Sequence, residues 1–152
     1  LDICKSLWTG GPVSHKGEMF EFNDIWCQPQ PAQGSDIPLL FGLKMTESNA
    51  QKIAKIGHGW IPIKTSSDFI SEGREALEKA FRDEGRDDKP RIRGQLPTCL
   101  DENGVPSLEL TLNELEKSMA AGLDEVEIFP INFAQSPDHL KEILERIAEL
   151  KK

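Results

Sequence analysis

The residues of this chain best suited to hold a ligand stand together in "PLLFGLKMTES", residues 38–48. A short apolar run ends in Gly42, passes through Leu43 and Lys44, and reaches Thr46, a residue type that starts helices. The first turn of a helix carries unpaired N–H donors and the positive end of the helix dipole, which together attract an anionic group such as phosphate. Gly42 would let backbone come close to such a group. Lys44 would add charge, and Thr46 and Ser48 would add hydroxyl donors. The same residues also make an ordinary strand-to-helix connection, and both readings stand at this point.

The remaining chemistry is sparser. Lys64, Thr65, Thr98, Cys99, Asn132 and Phe133 each follow a later apolar run, with solvated loop positions as the plainer reading. Lys44 and Lys64 lie one repeating unit apart; neither has a readable partner for Schiff-base chemistry, so anion binding is the better reading. His15, His58 and His139 show no H-x-E or H-E-x-x-H spacing, and Cys4, Cys27 and Cys99 form no C-x-x-C pair. No metal site is expected, and the thiols read as reduced cysteines of a cytoplasmic protein. His58, inside Gly57-His58-Gly59, reads as a structural turn, and His139 as an exposed helix-start residue. Asp101-Glu102-Asn103-Gly104 reads as a tight turn and not as a carboxylate pair for acid–base work. Trp8, Trp26 and Trp60 read as core or interface packing, and "EGRDDKPRIR" as a solvated face.

The elements that must position these residues follow from periodicity. Leu1, Cys4, Leu7 and Trp8 fall at helical spacing at the very start of the chain, without a capping residue before them. The expectation is a domain cut from something longer. "VSHKGEMFEFNDIWCQPQP" predicts a hairpin with strands over 13–15 and 19–22, and a further extended piece over 25–28. "PQPAQGSD" then reads as a surface link, so that residues 1–37 form a helix, a hairpin insertion and a linker. From residue 38 apolar runs at 38–42, 59–63, 91–96 and 125–129 alternate with amphipathic helices. Thr46 and Ser67 precede the first two. Thr111 to Glu114 has the spacing of a capping box for the third, with Gly122 at its end, and Ser136-Pro137 opens the fourth. Phe69, Ile70, Ala76, Leu77, Ala80 and Phe81 stripe the second helix; Leu140, Ile143, Leu144, Ile147 and Ala148 stripe the last.

Four βα units over 38–152 predict an α/β fold with a parallel sheet, either open and doubly wound or half of a (β/α)8 barrel. A half-barrel leaves strand edges at 38–42 and 125–129, which favour pairing with another chain, most simply a homodimer. A net charge of -8 argues against nucleic acid as a partner, and no apolar run is long enough to span a membrane.

"LWTGGPVSHKGEMFEFNDIWCQPQP", "IPLLFG", "KIGHGWIPI" and "GLDEVEIFP", in that order, closely resemble the C-terminal half of the luciferase-like monooxygenase family of flavin- or deazaflavin-dependent (β/α)8 oxidoreductases. The resemblance runs over nearly the whole chain. It implies that the four strands are the fifth to eighth of a TIM barrel, that the hairpin is the family's insertion before the fifth, and that a first half supplying much of the isoalloxazine pocket lies outside this chain. It implies FMN or a deazaflavin coenzyme in the intact barrel, with the phosphate at Gly42, Leu43, Lys44 and Thr46, and a small-molecule substrate near Lys64 and Asn132. The family's fifth strand commonly ends in Gly-Gly; here Leu43 replaces the second glycine, and its Cβ is expected to oppose close backbone approach while Lys44 compensates with charge. The rival reading is a stand-alone half-barrel that self-associates and binds no cofactor.

Overall fold

The computed structural model describes residues 1–150. The chain divides into a small unit over Leu1–Pro38 and a larger one that begins at Leu39. In the small unit, α1 (Asp2–Trp8) precedes the antiparallel hairpin of β1 (Val13–Lys16) and β2 (Glu21–Ile25). The register pairs Lys16 with Glu21 and His15 with Phe22. That register puts Met19 and Phe20 in the turn and not in the second strand, and both are exposed. β2 therefore starts two residues later than expected. It absorbs Ile25, and no separate strand follows over 25–28. Trp26, expected to pack, is exposed, whereas Trp60 is fully buried.

The larger unit holds a four-stranded parallel sheet in the sequential order β3 (Leu40–Phe41), β4 (Gly59–Trp60), β5 (Arg91–Gln95), β6 (Glu125–Glu127). This is the expected α/β arrangement. α2 (Glu47–Ile56) follows β3, and α3 (Ser67–Asp83) follows β4. The third crossover is broken into α4 (Leu108–Leu112) and α5 (Leu115–Ala121), and α6 (Pro137–Glu149) follows β6. Ala50, Ile53 and Ala54 of α2, Ile70, Leu77 and Phe81 of α3, and Trp60 and Ile92 of the sheet form one buried cluster.

Two caps fall where expected. Thr46 Oγ1 accepts the Asn49 N–H at 3.2 Å, and Ser136 Oγ accepts the His139 N–H at 3.1 Å. Ser66, one residue earlier than expected, precedes α3. The capping box over 111–114 does not form. Thr111 is buried inside α4, where its Oγ1 accepts the Cys99 N–H at 3.0 Å, and Ser107 caps that helix instead. A hydroxyl already holding a loop cannot also cap the next helix. Gly122 ends α5 at φ +117°, a conformation that needs glycine. Of the last helix's stripe only Ile143 is fully buried, and Leu144 is half exposed.

The mixed-charge run after α3 is more than a solvated face. Arg86 donates to the carbonyls of Ala54 and Gly57 at 2.8 and 2.7 Å, closing the C-terminal end of α2, and lies 3.9 Å from the Phe81 ring centre. Arg86 lies just past the C-terminal end of α3, where its N–H donates to the Phe81 carbonyl, so one residue ties two helices together. On the other flank Arg74 of α3 donates to the Gly122 carbonyl at 2.7 Å and to Asp124, whose carboxylate accepts the Ile92 N–H. His58 works as the structural turn expected of it. Its N–H donates to the Leu39 carbonyl and its Nδ1 accepts the Leu39 N–H, registering β3 against β4.

Arg86→Ala is expected to cost about 2–3 kcal/mol of stability in urea unfolding, because two helix-end carbonyls and an aromatic face lose their partner together. A change below about 0.5 kcal/mol, the level of an ordinary surface substitution, would show the clamp to be ornamental.

Candidate functional site

Parallel strands point their C-terminal ends to one rim, and the predicted site residues are distributed along it. Gly42, Leu43, Lys44 and Thr46 leave β3; Lys64 and Thr65 leave β4; Thr98 and Cys99 leave β5; Asn132 and Phe133 leave β6. No hydrogen bond or ion pair joins Lys44, Lys64 and Asn132 to one another among the described residues. Lys64 lies 5.5 Å from the centre of the Phe69 ring, Asn132 is exposed in a 3-10 turn over Pro130–Asn132, and Phe133 is buried as core.

The turn after β3 is the best-defined of these places. The Leu43 carbonyl accepts the Trp60 indole N–H at 2.8 Å, and the Lys44 carbonyl accepts the Asn49 side-chain amide at 2.9 Å. Thr46 caps α2 immediately afterwards. Gly42 is outside the left-handed region, and a Cβ built on it would meet nothing within 4 Å. Leu43 also has an ordinary backbone, since Asp24 is the one non-glycine residue at positive φ among those described. The chain therefore needs glycine at neither position for its own folding. The expected obstacle at Leu43 is reduced to the space its side chain occupies, and that side chain is 38% exposed.

A second concavity lies one crossover further on, a cleft of about 530 Å³ lined in part by Thr65, Ser66, Ser67, Cys99, Glu114 and Lys117. Thr65 and Cys99 are legible from the rule that barrel loops after strands carry function. Lys117 is not, because it enters from α5, about 50 residues beyond Ser67, and nothing local in the sequence marks that approach. Its ammonium pairs with Glu114 at 3.1 Å, which lowers its availability for a ligand. Among the described residues no group of three or more His, Cys, Asp or Glu side chains is placed to hold a metal ion, and no helix is long and apolar enough to cross a membrane.

The sheet face opposite the helix-packed core carries a feature that sequence reading missed. Ile92 and Val126 face the core, so alternation sends Arg91, Arg93, Glu125 and Glu127 to the other face. Register pairs Arg93 with Glu125. Glu125 accepts hydrogen bonds from Arg91 and, at 2.8 Å, from Arg93, while Arg93 also approaches Glu127 at 3.8 Å. Hydrogen bonding from Arg91, then from Arg93, holds the Glu125 carboxyl below the ordinary glutamate range.

A parallel βα sheet in sequential order, with polar groups spread along its C-terminal rim, has the architecture of part of an α/β barrel. The model of the luciferase-like monooxygenase family matches residues 1–104. Uncharacterized proteins of Mycobacterium tuberculosis (Rv0953c) and Mycobacterium bovis (Mb0978c) are 34% identical to it over 106 residues, which is 70% of this chain and 35% of each relative. The chain belongs to the luciferase-like monooxygenase family, and it spans about a third of the length of these relatives. Solved structures agree on the fold. The coenzyme F420-dependent tetrahydromethanopterin reductase of Methanopyrus kandleri superposes with a TM-score of 0.65 at 14% identity, over 93% of this chain and 58% of that one. Monooxygenase RslO1 of Streptomyces bottropensis superposes with a TM-score of 0.52 at 16% identity, over 96% and 47%.

Because Glu125 has a folded-state pKa below its unfolded one, its pairing stabilises the fold above the unfolded value, and that stability is lost as pH falls through the folded value. Glu125→Gln is therefore expected to lower stability at neutral pH and to flatten the acid limb of a urea-midpoint-against-pH curve. Superimposable acid limbs for the two proteins would show that Glu125 contributes nothing to acid sensitivity.

Proposed function

We propose that this chain supplies the phosphate side of a flavin or deazaflavin pocket in a luciferase-like oxidoreductase, with Gly42, Leu43, Lys44 and Thr46 as the phosphate turn and Lys64 and Asn132 nearer a small-molecule substrate. The observation that carries this reading is the turn after β3: a strand end without steric need for its glycine, an exposed lysine, and a capped helix start. A glycine that the fold does not require is explained by something outside the chain that comes close to it. The bound coenzyme would supply the hydride or oxygen chemistry. The residues of this chain would bind it by its phosphate, orient it against the rim and keep water from one side.

A second reading rests on a different observation. β3 and β6 each have one strand neighbour among the described residues, so the sheet has two free edges. A second copy could pair its β3 with β6 in parallel and close both edges at once, giving a homodimer that binds no cofactor.

Fluorescence titration separates the two. The first reading expects FMN to be bound at least about tenfold more tightly than riboflavin, which lacks the phosphate, since charge-assisted hydrogen bonds contribute roughly 1.5–3 kcal/mol. Gly42→Ala should leave unfolding stability within about 1 kcal/mol and remove that preference. Equal affinities for FMN and riboflavin, or none for either, would overturn the phosphate turn.

For the second reading, light scattering across a hundredfold concentration range should show the mass of two chains. A monomer throughout would eliminate self-association through the edges.

A further inference from the structure

We propose that the cleft between the start of α3 and α5 is a second ligand site, suited to a neutral polyhydroxylated molecule such as a polyol or sugar, with the buried Ser118 hydroxyl as one of its contacts. The site lies one crossover away from the turn after β3 and does not rest on the phosphate reading above.

The informative residue is Ser118. It is 5% exposed, it lines the cleft, and its hydroxyl makes no hydrogen bond among the described residues. Among those residues no buried side-chain nitrogen or oxygen is both closed off from solvent and without a partner. The Ser118 hydroxyl therefore reaches open space, and the open space beside it is the cleft. A serine inside a helix can turn its hydroxyl onto the carbonyl one turn back, as Ser71 does toward Ser67 at 3.0 Å. Ser118 does not. Alanine would fill the same place in α5 with better helix propensity and no hydroxyl to leave unpaired.

The α3 side of the cleft supplies donors. Ser66 stands at the N-cap of α3 without spending its hydroxyl on the helix, whereas Thr46, Ser107 and Ser136 spend theirs. The N–H groups of Ser67, Asp68 and Phe69 precede the first helical bond, from Ile70 to the Ser66 carbonyl, and have no protein acceptor among the described residues. On the α5 side the Lys117 ammonium pairs with Glu114 at 3.1 Å. Charge then selects the class of ligand. The lining holds two carboxylates, Asp68 and Glu114, one ammonium, and a helix start equivalent to about half a positive charge, so the charges nearly cancel. An anion would meet both carboxylates, and a cation would meet the ammonium and the helix start. Ligand hydroxyls can donate to the carboxylates and accept from the N–H groups, while Ser118 can do either. A volume of about 530 Å³ is that of a small-molecule site.

The test is a titration of 15N-labelled protein with myo-inositol, inorganic phosphate and methylammonium in turn, followed by amide NMR, for wild type and Ser118→Ala. Ser118→Ala loses only an unpaired hydroxyl, so its melting temperature should hold or rise; a fall would reveal a partner for that hydroxyl within the fold and overturn the premise. The expected result is a saturable shift of the Ser67, Asp68 and Phe69 amides with myo-inositol at millimolar concentration and no comparable shift with either ion. In Ser118→Ala the affinity should weaken about fivefold, in line with the loss of one neutral hydrogen bond. No response of these amides to myo-inositol would overturn the site. A tighter response to phosphate or to methylammonium would overturn the neutral class of ligand. Equal affinity for myo-inositol in the two proteins would overturn the contact with Ser118.

Discussion

The contact on which most of the larger unit depends is the burial of the Trp60 indole against Gly73. Trp60 has no exposed surface, and a Cβ placed on Gly73 would lie 2.3 Å from its six-membered ring. A glycine in the seventh position of α3 costs helix stability relative to alanine. That cost is offset because only a bare Cα lets the helix come down onto the ring. Once the indole is enclosed, its N–H must find an acceptor, and it finds the Leu43 carbonyl at the head of the turn that follows β3. One side chain therefore sets the distance of α3 from the sheet and the conformation of the candidate phosphate turn. Packing and site are coupled through it.

Around that centre the sheet and helices are tied by arginines, although the chain is strongly acidic. Arg86 closes α2 and Arg74 ties α3 to the turn before β6. Asp124 completes the second tie by exchanging bonds with Ile92: its carboxylate and its N–H engage the N–H and carbonyl at the same position of β5. These arginines act on main-chain carbonyls at helix ends, where acceptors are left over by the helix itself. In each the Nη1 group serves these main-chain partners while other nitrogens of the planar guanidinium hold a carboxylate, Asp88 for Arg86 and Glu78 for Arg74, a division that lysine cannot reproduce.

Local signals were enough for the elements and poor for their joints. Thr46 and Ser136 are legible as caps because a cap is a contact across three residues, and the four strands are legible because a short apolar run is a local signal too. The break between α4 and α5 is not. Thr111 and Glu114 have the spacing of a capping box, but Thr111 is drawn inward to hold Cys99, 12 residues away, and a tertiary partner outweighs a local one. The same limit explains Arg86, whose carbonyl partners lie 29 and 32 residues upstream inside what reads as a solvated charge run. In the candidate site, Gly42, Lys44 and Thr46 were readable as a turn, while the donors that fix it were not. Trp60 reads as core, and it is core; its second role depends on where one N–H ends up.

The charged ladder on the far face of the sheet bears on what a four-stranded portion of a barrel can be. In a closed barrel that face lines the interior, which layers of branched apolar side chains ordinarily fill. Apolar layers would leave an isolated portion with a large water-exposed hydrophobic face. Arg91, Arg93, Glu125 and Glu127 instead satisfy one another across β5 and β6, so the face is tolerable in water. Enclosed, each charge would still have its partner, while the stronger attraction in a lower dielectric would be offset by the cost of taking the charges out of water. The ladder thus makes the sheet's stability depend less on whether further strands cover it. The free edges of β3 and β6 remain the places where added strands would be recognised, because unsatisfied main-chain groups, unlike these side chains, have no partner within the sheet.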